Sequence, residues 1–319
     1  MKKNKLRPIN IVFYSKWDSF EKWRNILINH NMNLYNWPDD FKKNSTYSNI
    51  NGALVWDPPD EIWKHFPNIK IIQSLGAGVD HILRKKIPEN VNIIKLHDPN
   101  LSNQMAEYAL MSVLMCKRKY FQYSNNMIRK EWNQYTPFNN KDFKISILGY
   151  GNIAKLIIKN LHNLGFKINV WGNTNRKLKN INYYFGKNQL HESIKNSSCL
   201  ISLLPDTEHT KDLIGLTEFK LLNNESYFIN IGRGNTVKQS EMFYALKNNI
   251  LTGAIIDVFK NEPLDKNNEL WKLKNILITP HIAGITNATD YTAKLLKENF
   301  NNLYLNKSLK NKVNITLGY

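Results

Sequence analysis

Short apolar runs separated by polar stretches of helical length set the pattern of this chain. Ile9–Tyr14, Gly52–Trp56, Ile69–Leu75 and Val91–Leu96 read as strands, with a break at Pro58-Pro59 after the second. Between the first two, Phe20–His30 reads as a helix with Phe20, Trp23, Ile26 and Leu27 on one side. Leu101–Arg129 reads as one long helix, apolar at Met105, Ala109, Leu110, Val113 and Leu114, bridging two units. Trp132–Asn140 is a polar loop with aromatic residues. Further strands are expected at Ile145–Leu148, Ile168–Trp171, Cys199–Leu204, Tyr227–Ile231, Ala254–Phe259 and Ile276–Thr279, with helices between them such as Gln239–Asn249. A last helix, Thr292–Leu305, begins a tail too short for a domain, which is expected to pack back on the first unit. Strands alternating with helices predict parallel sheets covered on both faces. No repeat of solenoid period is present.

The stretch from Lys144 to Gly165 adds chemistry to this pattern. A strand, Ile145-Ser146-Ile147-Leu148, runs into Gly149-Tyr150-Gly151-Asn152-Ile153-Ala154 and then into a helix with Ile153, Ile157, Leu161 and Leu164 on one face. Gly165 supplies a stop. Gly149 permits a tight turn, and Gly151 lets backbone approach a pyrophosphate. Ala154 stands where a third glycine is usual. The helix N-terminus would present free N–H groups and a positive dipole end to phosphates. Strand, glycine turn, helix and strand together predict a dinucleotide-binding unit. Dinucleotide binders that select a ribose 2′-hydroxyl place a carboxylate about 20 residues beyond the glycines. Here the sequence is Trp171-Gly172-Asn173-Thr174-Asn175-Arg176-Lys177, without a carboxylate. Thr174, Arg176 and Lys177 suit a 2′-phosphate, and a solvated basic loop in a basic protein is the alternative.

Composition narrows the classes. The chain has 319 residues and a formal net charge of +18. The lysines are scattered among Asn and Ile, and no nucleic-acid-binding signature accompanies them, so nucleic acid is not the expected partner. A basic field would instead draw in small anions. No apolar run reaches about 18 residues, so no membrane span is expected. The basic start, followed by a short apolar run, reads as a solvated tail and a first strand rather than a signal peptide. Cys116 and Cys199 read as buried reduced thiols, with a reducing cytoplasm as the expected location. No metal-binding cluster is visible.

Four further stretches fall at predicted strand ends, where open α/β sheets bind ligands. They are Leu75-Gly76-Ala77-Gly78-Val79-Asp80, Asn230-Ile231-Gly232-Arg233-Gly234, Asp257-Val258-Phe259-Lys260-Asn261-Glu262-Pro263-Leu264, and Thr279-Pro280-His281-Ile282-Ala283-Gly284. In this order and spacing, with the glycine turn, they resemble the D-2-hydroxyacid dehydrogenase family over nearly the full length. Within that family the resemblance is greatest to the glyoxylate/hydroxypyruvate reductase A type, through ALVWDPP near Val55, SLGAGVD and the terminal Leu317-Gly318-Tyr319. The resemblance implies an α/β fold of two doubly wound parallel-sheet domains. A Rossmann-type cofactor domain (99–282) would be inserted into a flavodoxin-like substrate domain (1–98, completed by 283–319).

The resemblance also implies roles. Arg233 would orient the substrate carboxylate and carbonyl, a task suited to a planar, permanently charged fork, with Gly232 and Gly234 letting backbone approach ligands. His281 would protonate the carbonyl oxygen as hydride arrives, and Glu262 would pair with it and hold it protonated. Gly76, Ala77 and Gly78 would offer backbone N–H groups to the carboxylate, with Trp56 lining the substrate side. Gly149, Gly151, Asn152, Ile153, Thr174, Arg176, Lys177, Pro205, Ile231 and Asp257 would meet the cofactor. Asp257 would take the nicotinamide carboxamide as the donor that a buried carboxylate needs. The implied activity is NADPH-dependent reduction of glyoxylate to glycolate and of hydroxypyruvate to D-glycerate, with NADH also possible, in a homodimer formed through 101–129 and the loop holding Trp132, Tyr135 and Phe138. A different substrate on the same fold, for example another 2-oxo or 2-hydroxy acid such as phosphoglycerate or D-lactate, or formate, is an alternative. A non-enzymatic cofactor-sensing role is the alternative outside catalysis. The other histidines, His30, His65, His81, His97, His162, His191 and His209, read as structural.

Overall fold

The structure is a computed structural model that describes residues 8–96, 98–179, 181–285, 289–316 and 318. The basic start at 1–7, His97, Leu317 and Tyr319 lie outside the described residues. The chain divides into two units, Met1–Asp98 with Thr286–Tyr319, and Pro99–Ile285.

Unit 1 is built on strands β1 (Ile9–Tyr14), β2 (Met32–Asn36), β3 (Gly52–Val55), β4 (Ile71–Ser74) and β5 (Asn92–Ile94), with helices α1 (Phe20–Asn29) and α2 (Asp80–Leu83). All strand pairings are parallel, in the order β2-β1-β3-β4-β5. That is the flavodoxin-like doubly wound order. Ser19 caps α1, and Trp23 and Leu27 form its buried side. The edge strand β2 escapes the hydropathy pattern because its sequence, Met-Asn-Leu-Tyr-Asn, is half exposed.

Unit 2 adds the helices α3 (Pro99–Lys117), α4 (Tyr120–Arg129) and α5 (Asn152–Asn163), and the strands β6 (Ile145–Leu148), β7 (Ile168–Gly172) and β8 (Asn182–Phe185). It continues with α6 (Leu190–Ile194), β9 (Cys199–Ser202), α7 (Leu216–Lys220), β10 (Tyr227–Asn230), α8 (Gln239–Lys247), β11 (Gly253–Ile256) and β12 (Ile276–Ile278). Its sheet order is β12-β11-β10-β9-β6-β7-β8, again all parallel. Counted within the unit this is the 3-2-1-4-5-6 Rossmann order with one more strand at the far edge. Four central strands, β6, β9, β10 and β11, are buried at every position, as strands covered on both faces must be.

Two expectations are corrected. The stretch Leu101–Arg129 is two helices, because Lys119 takes a left-handed conformation with φ of 60°. The turn lets Phe121 stack on Tyr227, with ring centroids 6.3 Å apart, and cover Gly253. Lys119 itself pairs with Glu225 at 3.1 Å and lies 5.0 Å over the Phe138 ring. In α5, Leu164 lies past the helix end and is exposed; the buried face is Ala154, Ile157, Ile158 and Leu161. Each aliphatic side chain buried there contributes about 1.5–3 kcal/mol. Gly165, with φ of +82°, ends the helix as expected. Cys116 and Cys199 are free and buried, and burial pushes both thiols up.

After unit 2 the chain re-enters unit 1. Helix α9 (Thr289–Tyr304) packs on α1, and Phe300 is fully buried. Lys312 then bridges Ile94 in antiparallel fashion at the β5 edge, beside the buried Val313. Gly52 is required where β3 passes Phe300, since a Cβ there would lie 2.8 Å from Cζ of that ring. Gly52→Ala should therefore cost about 1–3 kcal/mol through overpacking, read as a lower midpoint in urea denaturation. An unchanged midpoint would show that α9 yields freely on β3.

Candidate functional site

In unit 1 the site residues follow β4. Ser74, at its last position, holds the loop from inside. Its hydroxyl donates to the Gly78 carbonyl at 2.9 Å and accepts from the Gly76 N–H at 3.2 Å. It also lies 3.2 Å from Nε2 of the buried His81, whose Nδ1 accepts the Asp57 N–H at 3.0 Å. His81 must then carry its proton on Nε2 and donate it to Ser74. The Trp56 ring lies 4.2 Å from the His81 ring, tilted by 40°, and fills the space beside Gly76, where a Cβ would lie 2.4 Å from it. The Gly76 N–H is thus already engaged. Those of Ala77 and Gly78 make no hydrogen bond among the described residues. Ser74 and His81 were not among the expected site residues. Their role shows only once β3 and β4 are side by side.

In unit 2 the glycine turn follows β6. Gly149 has φ of +103°, and its N–H donates to Trp171 O at 2.8 Å. Gly151 is extended, at φ −96° and ψ −171°, and a Cβ there would meet nothing within 4 Å. It caps α5 without a side-chain hydrogen bond, so the first N–H groups of that helix lack a capping partner. Asn152 is exposed and Ile153 half-buried beside them. Pro205 and Ile231 follow the neighbouring strands β9 and β10; the Pro205 carbonyl accepts the Thr210 hydroxyl at 2.5 Å, and Ile231 is buried. An open, uncapped helix start preceded by a left-handed glycine fits the pyrophosphate of a dinucleotide. Past β7, Thr174, Arg176 and Lys177 are exposed. Two tyrosines that sequence reasoning missed order this loop. The Tyr183 hydroxyl donates to the Thr174 carbonyl at 2.8 Å, and the Arg176 guanidinium lies 5.6 Å over the Tyr150 ring.

The remaining residues gather beyond β10, β11 and β12. His281 Nδ1 is 2.8 Å from Glu262 Oε2, and the other oxygen of Glu262 accepts the Phe259 N–H at 2.8 Å. An ionised carboxylate only accepts, so Nδ1 carries a proton and Nε2 is the atom that gains or loses one. Burial alone would raise the Glu262 pKa. The His281 hydrogen bond, the Phe259 N–H and the charges of His281 and Arg233 outweigh it and hold the carboxyl below its ordinary value. Both side chains remain about one-third exposed, at 37% for His281 and 36% for Glu262. The His281 backbone is left-handed, with φ of 55°, and its N–H donates to Asp257 O at 2.9 Å. That conformation costs roughly 1–2 kcal/mol in a residue with a side chain.

Asp257 is buried, at 1% exposure, just beyond β11. Its donors come from within the chain: Oδ1 accepts the Thr279 hydroxyl at 2.6 Å and the Ile282 N–H at 2.7 Å, and Oδ2 accepts the Ala283 N–H at 2.9 Å. Burial of Asp257 therefore demands no ligand. The glycines around Arg233 also have an internal reason. A Cβ on Gly232 would fall 2.7 Å from Leu204 O, and one on Gly234 only 1.9 Å from the Phe259 carbonyl carbon. They allow the Arg233 loop to lie against neighbouring loops. The Arg233 carbonyl accepts the Thr236 hydroxyl at 2.7 Å and Asn230 Nδ2 at 3.2 Å. Among the described residues no group of three or more His, Cys, Asp or Glu is placed to hold a metal ion, and no helix is long and apolar enough to cross a membrane.

A glycine turn open to phosphates and a carboxylate-oriented imidazole at the carboxyl ends of one Rossmann sheet define a nicotinamide-dependent oxidoreductase. Comparison with known proteins carries this further. Residues 110–283 match the family model described as D-isomer specific 2-hydroxyacid dehydrogenase, NAD binding domain. The chain belongs to that family and is an enzyme of the 2-hydroxyacid dehydrogenase type. It is 31% identical to glyoxylate/hydroxypyruvate reductase A of Photorhabdus laumondii, covering 98% of this chain and 100% of that one. It is 32% identical to the protein of the same name from an Enterobacter species, over 84% of this chain and 87% of that one. Among solved structures it is similar to a D-isomer specific 2-hydroxyacid dehydrogenase from Xanthobacter autotrophicus in complex with NADPH and MES. That match has a TM-score of 0.90 at 28% identity, over 98% of this chain and 100% of that one. A probable 2-hydroxyacid dehydrogenase from Rhizobium etli, in complex with NADP, HEPES and L(+)-tartaric acid, matches with a TM-score of 0.88 at 26% identity, over 98% and 100% of the two chains.

The lowered Glu262 pKa predicts a signature in stability. A carboxyl whose folded pKa lies below its unfolded value of about 4.3 adds stability above that pH and loses it as pH falls through the folded value. The melting-temperature gap between wild type and Glu262→Gln should be largest near pH 6 and shrink below about pH 4.3. A gap that stays constant to pH 3 would show that the ionised carboxylate contributes nothing.

Proposed function

We propose that this enzyme reduces small 2-oxo acids with NADPH, with glyoxylate and hydroxypyruvate as the leading substrates. The observation that carries the reading is the Glu262–His281 pair at 2.8 Å, with the Arg233 charge acting on the same carboxylate. The names of the relatives supply the substrate class. The bound cofactor would supply hydride to the carbonyl carbon. His281 gives the proton on Nε2 to the carbonyl oxygen, and the Glu262 carboxylate stabilises the imidazolium before transfer and fixes the ring through Nδ1. Arg233 takes the substrate carboxylate and polarises the carbonyl with its fork of donors. In unit 1 the unengaged N–H groups of Ala77 and Gly78 are suited to an anionic oxygen, and Trp56 walls that loop. The pyrophosphate is assigned to Gly149, Gly151, Asn152 and Ile153, with Pro205 and Ile231 on neighbouring strand ends. The deciding experiment is a panel of 2-oxo acids assayed with NADPH and with NADH. Glyoxylate and hydroxypyruvate should give the highest kcat/KM, with NADPH preferred. Binding of the cofactor without turnover of any 2-oxo acid would favour a cofactor-sensing role and overturn the reading.

The preference for NADPH rests on Thr174, Arg176 and Lys177 in a loop with no carboxylate. Arg176→Ala should weaken NADPH by about tenfold, the worth of roughly one charge-assisted hydrogen bond, and leave NADH nearly unchanged. Equal losses for both cofactors, measured by fluorescence titration, would remove the assignment.

A homodimer through unit 2 belongs to the same proposal. Of the three loop aromatics, Phe138 packs on Phe143 at 5.5 Å and Tyr135 bonds Asn126 at 3.2 Å, so they cover their own unit. Trp132 is 97% exposed, and Met127 and Ile128 of α4 are also exposed. A large exposed aromatic beside apolar residues suits a buried anchor in an interface. Sedimentation should give a dimer mass at micromolar concentration and a shift toward monomer in Trp132→Ala. A wild-type monomer would refute it.

A further inference from the structure

We propose that one face of α3, formed by Leu101, Gln104, Met105 and Tyr108, clamps the turn that carries His281, and that Tyr108 and Thr279 are positioning residues for the proton-transfer step. The inference rests on the acid–base role proposed for His281, adds four α3 residues that the motif does not contain, and gives Thr279 within the motif a positioning part.

The four α3 residues stand at i, i+3, i+4 and i+7, and so share one helix face. They meet the segment 279–285 on both sides of His281. At the far end, Gln104 Oε1 accepts the Ile285 N–H at 2.9 Å. Gly284 lies against Leu101 and Met105, where a Cβ would come within 2.7 Å of Met105 Cγ and 3.1 Å of Leu101 Cγ. At the near end, the Tyr108 hydroxyl is 2.6 Å from Thr279 Oγ1, which is 2.6 Å from Asp257 Oδ1.

The direction of this chain is fixed by its last member. A carboxylate can only accept, so the Thr279 hydroxyl donates to Asp257 and must accept from Tyr108. Tyr108 is therefore the donor that begins the series. Burial pushes its phenol up against the Thr279 hydrogen bond, and the Asp257 charge adds to the rise, so the donor proton is kept. Asp257 also accepts the N–H groups of Ile282 and Ala283, at 2.7 and 2.9 Å. Those are the two residues after His281, and His281 holds a left-handed backbone. A backbone in a disfavoured region persists only when its surroundings over-determine it. Here Asp257 fixes the turn, Thr279 and Tyr108 fix the Asp257 carboxylate, and Gln104 with the Gly284 contact fixes the exit. The imidazole is aimed by Glu262, but the backbone from which it is aimed is set from α3.

The test uses the full-length protein and the variants Tyr108→Phe, Thr279→Val, Thr279→Ser and Gln104→Ala. The first measurement needs no substrate: amide hydrogen exchange across 279–285, with the strands of unit 1 as the internal control. In Tyr108→Phe and Thr279→Val the Ile282 and Ala283 amides should exchange at least about tenfold faster, the equivalent of roughly one lost hydrogen bond, while the control strands stay unchanged. Thr279→Ser keeps the hydroxyl and should restore wild-type protection. Gln104→Ala should loosen Ile285 alone. Wild-type protection in Thr279→Val and Tyr108→Phe would overturn the clamp. Tyr108→Phe keeps the ring, so it remains a test if Thr279→Val fails to fold. The second measurement is kcat and KM with NADPH and glyoxylate. Displacing a catalytic group by about 1 Å can cost about a hundredfold in rate, so kcat should fall about tenfold or more in Thr279→Val and Tyr108→Phe, with the Kd for NADPH unchanged and the rate recovered in Thr279→Ser. Loosened amides with wild-type kcat would overturn the positioning role. Absence of turnover in the wild type would fail the substrate reading instead, and amide exchange would still decide the clamp.

Discussion

A buried carboxylate must find donors or remain out of water at a high cost. Asp257, 1% exposed at the end of β11, meets this requirement with the Thr279 hydroxyl and the N–H groups of Ile282 and Ala283. The arrangement of the His281 turn follows from that demand. Five residues further on, Glu262 turns one oxygen back to the Phe259 N–H and offers the other to the imidazole. The loop after β11 thus sets the main chain of His281 through Asp257 and its ring through Glu262. This is how a side chain with two rotatable bonds can be held in one orientation while about one-third of it stays open to solvent.

The same economy runs through the sheets. In both units the strands are parallel and the expected chemistry falls on the loops at their carboxyl ends. Hydropathy exposes such a fold well, because strands covered on both faces must be continuously apolar. β6, β9, β10 and β11 are of that kind and were legible as short apolar runs. Of the four edge strands, β5 and β12 carry apolar runs and were expected, whereas β2 and β8 lack the signal. β2 and β8, rich in Asn and Tyr, carry too few apolar residues to stand out and were not expected. The division of 101–129 into two helices was also hidden. No Gly or Pro marks the break, and the fit of Phe121 on Tyr227 that accompanies it is a contact between distant parts of the chain.

The candidate site was legible to a similar depth. Arg233, Glu262 and His281 stand in motifs whose order and spacing resemble a known family, and the structure brings Glu262 and His281 into contact and places the Arg233 charge where it acts on the Glu262 carboxylate. The supports were not legible. Ser74 opens SLGAGVD but carried no expected role, His81 read as structural, and Tyr108 reaches Thr279 across 171 residues of sequence. Spacing along the chain cannot reveal a hydrogen bond of that separation. The glycines give the opposite lesson. Gly232 and Gly234 invite a ligand-approach reading, yet the nearest atoms to the space they leave are the backbones of Leu204 and Phe259. A glycine in a functional motif can be required by the chain's own crowding.

The net charge of +18 makes one distinction especially physical. A diffuse positive field favours every anion, and so draws a dinucleotide with a 2′-phosphate, one without it and a 2-oxo acid alike. It cannot choose among them, because selection requires a difference in contacts between two ligands. Lys177 is exposed on the loop past β7 and adds its charge there. Arg176 differs because its guanidinium rests over the Tyr150 ring, and Thr174 differs because Tyr183 holds its carbonyl. Groups already held in place lose less freedom when they bind, so their hydrogen bonds appear more fully as affinity. The sequence could show that the loop is basic and lacks a carboxylate. What makes it a candidate for choosing a phosphate is the pair of tyrosines, one in the glycine turn and one on the edge strand, that turn charge into geometry.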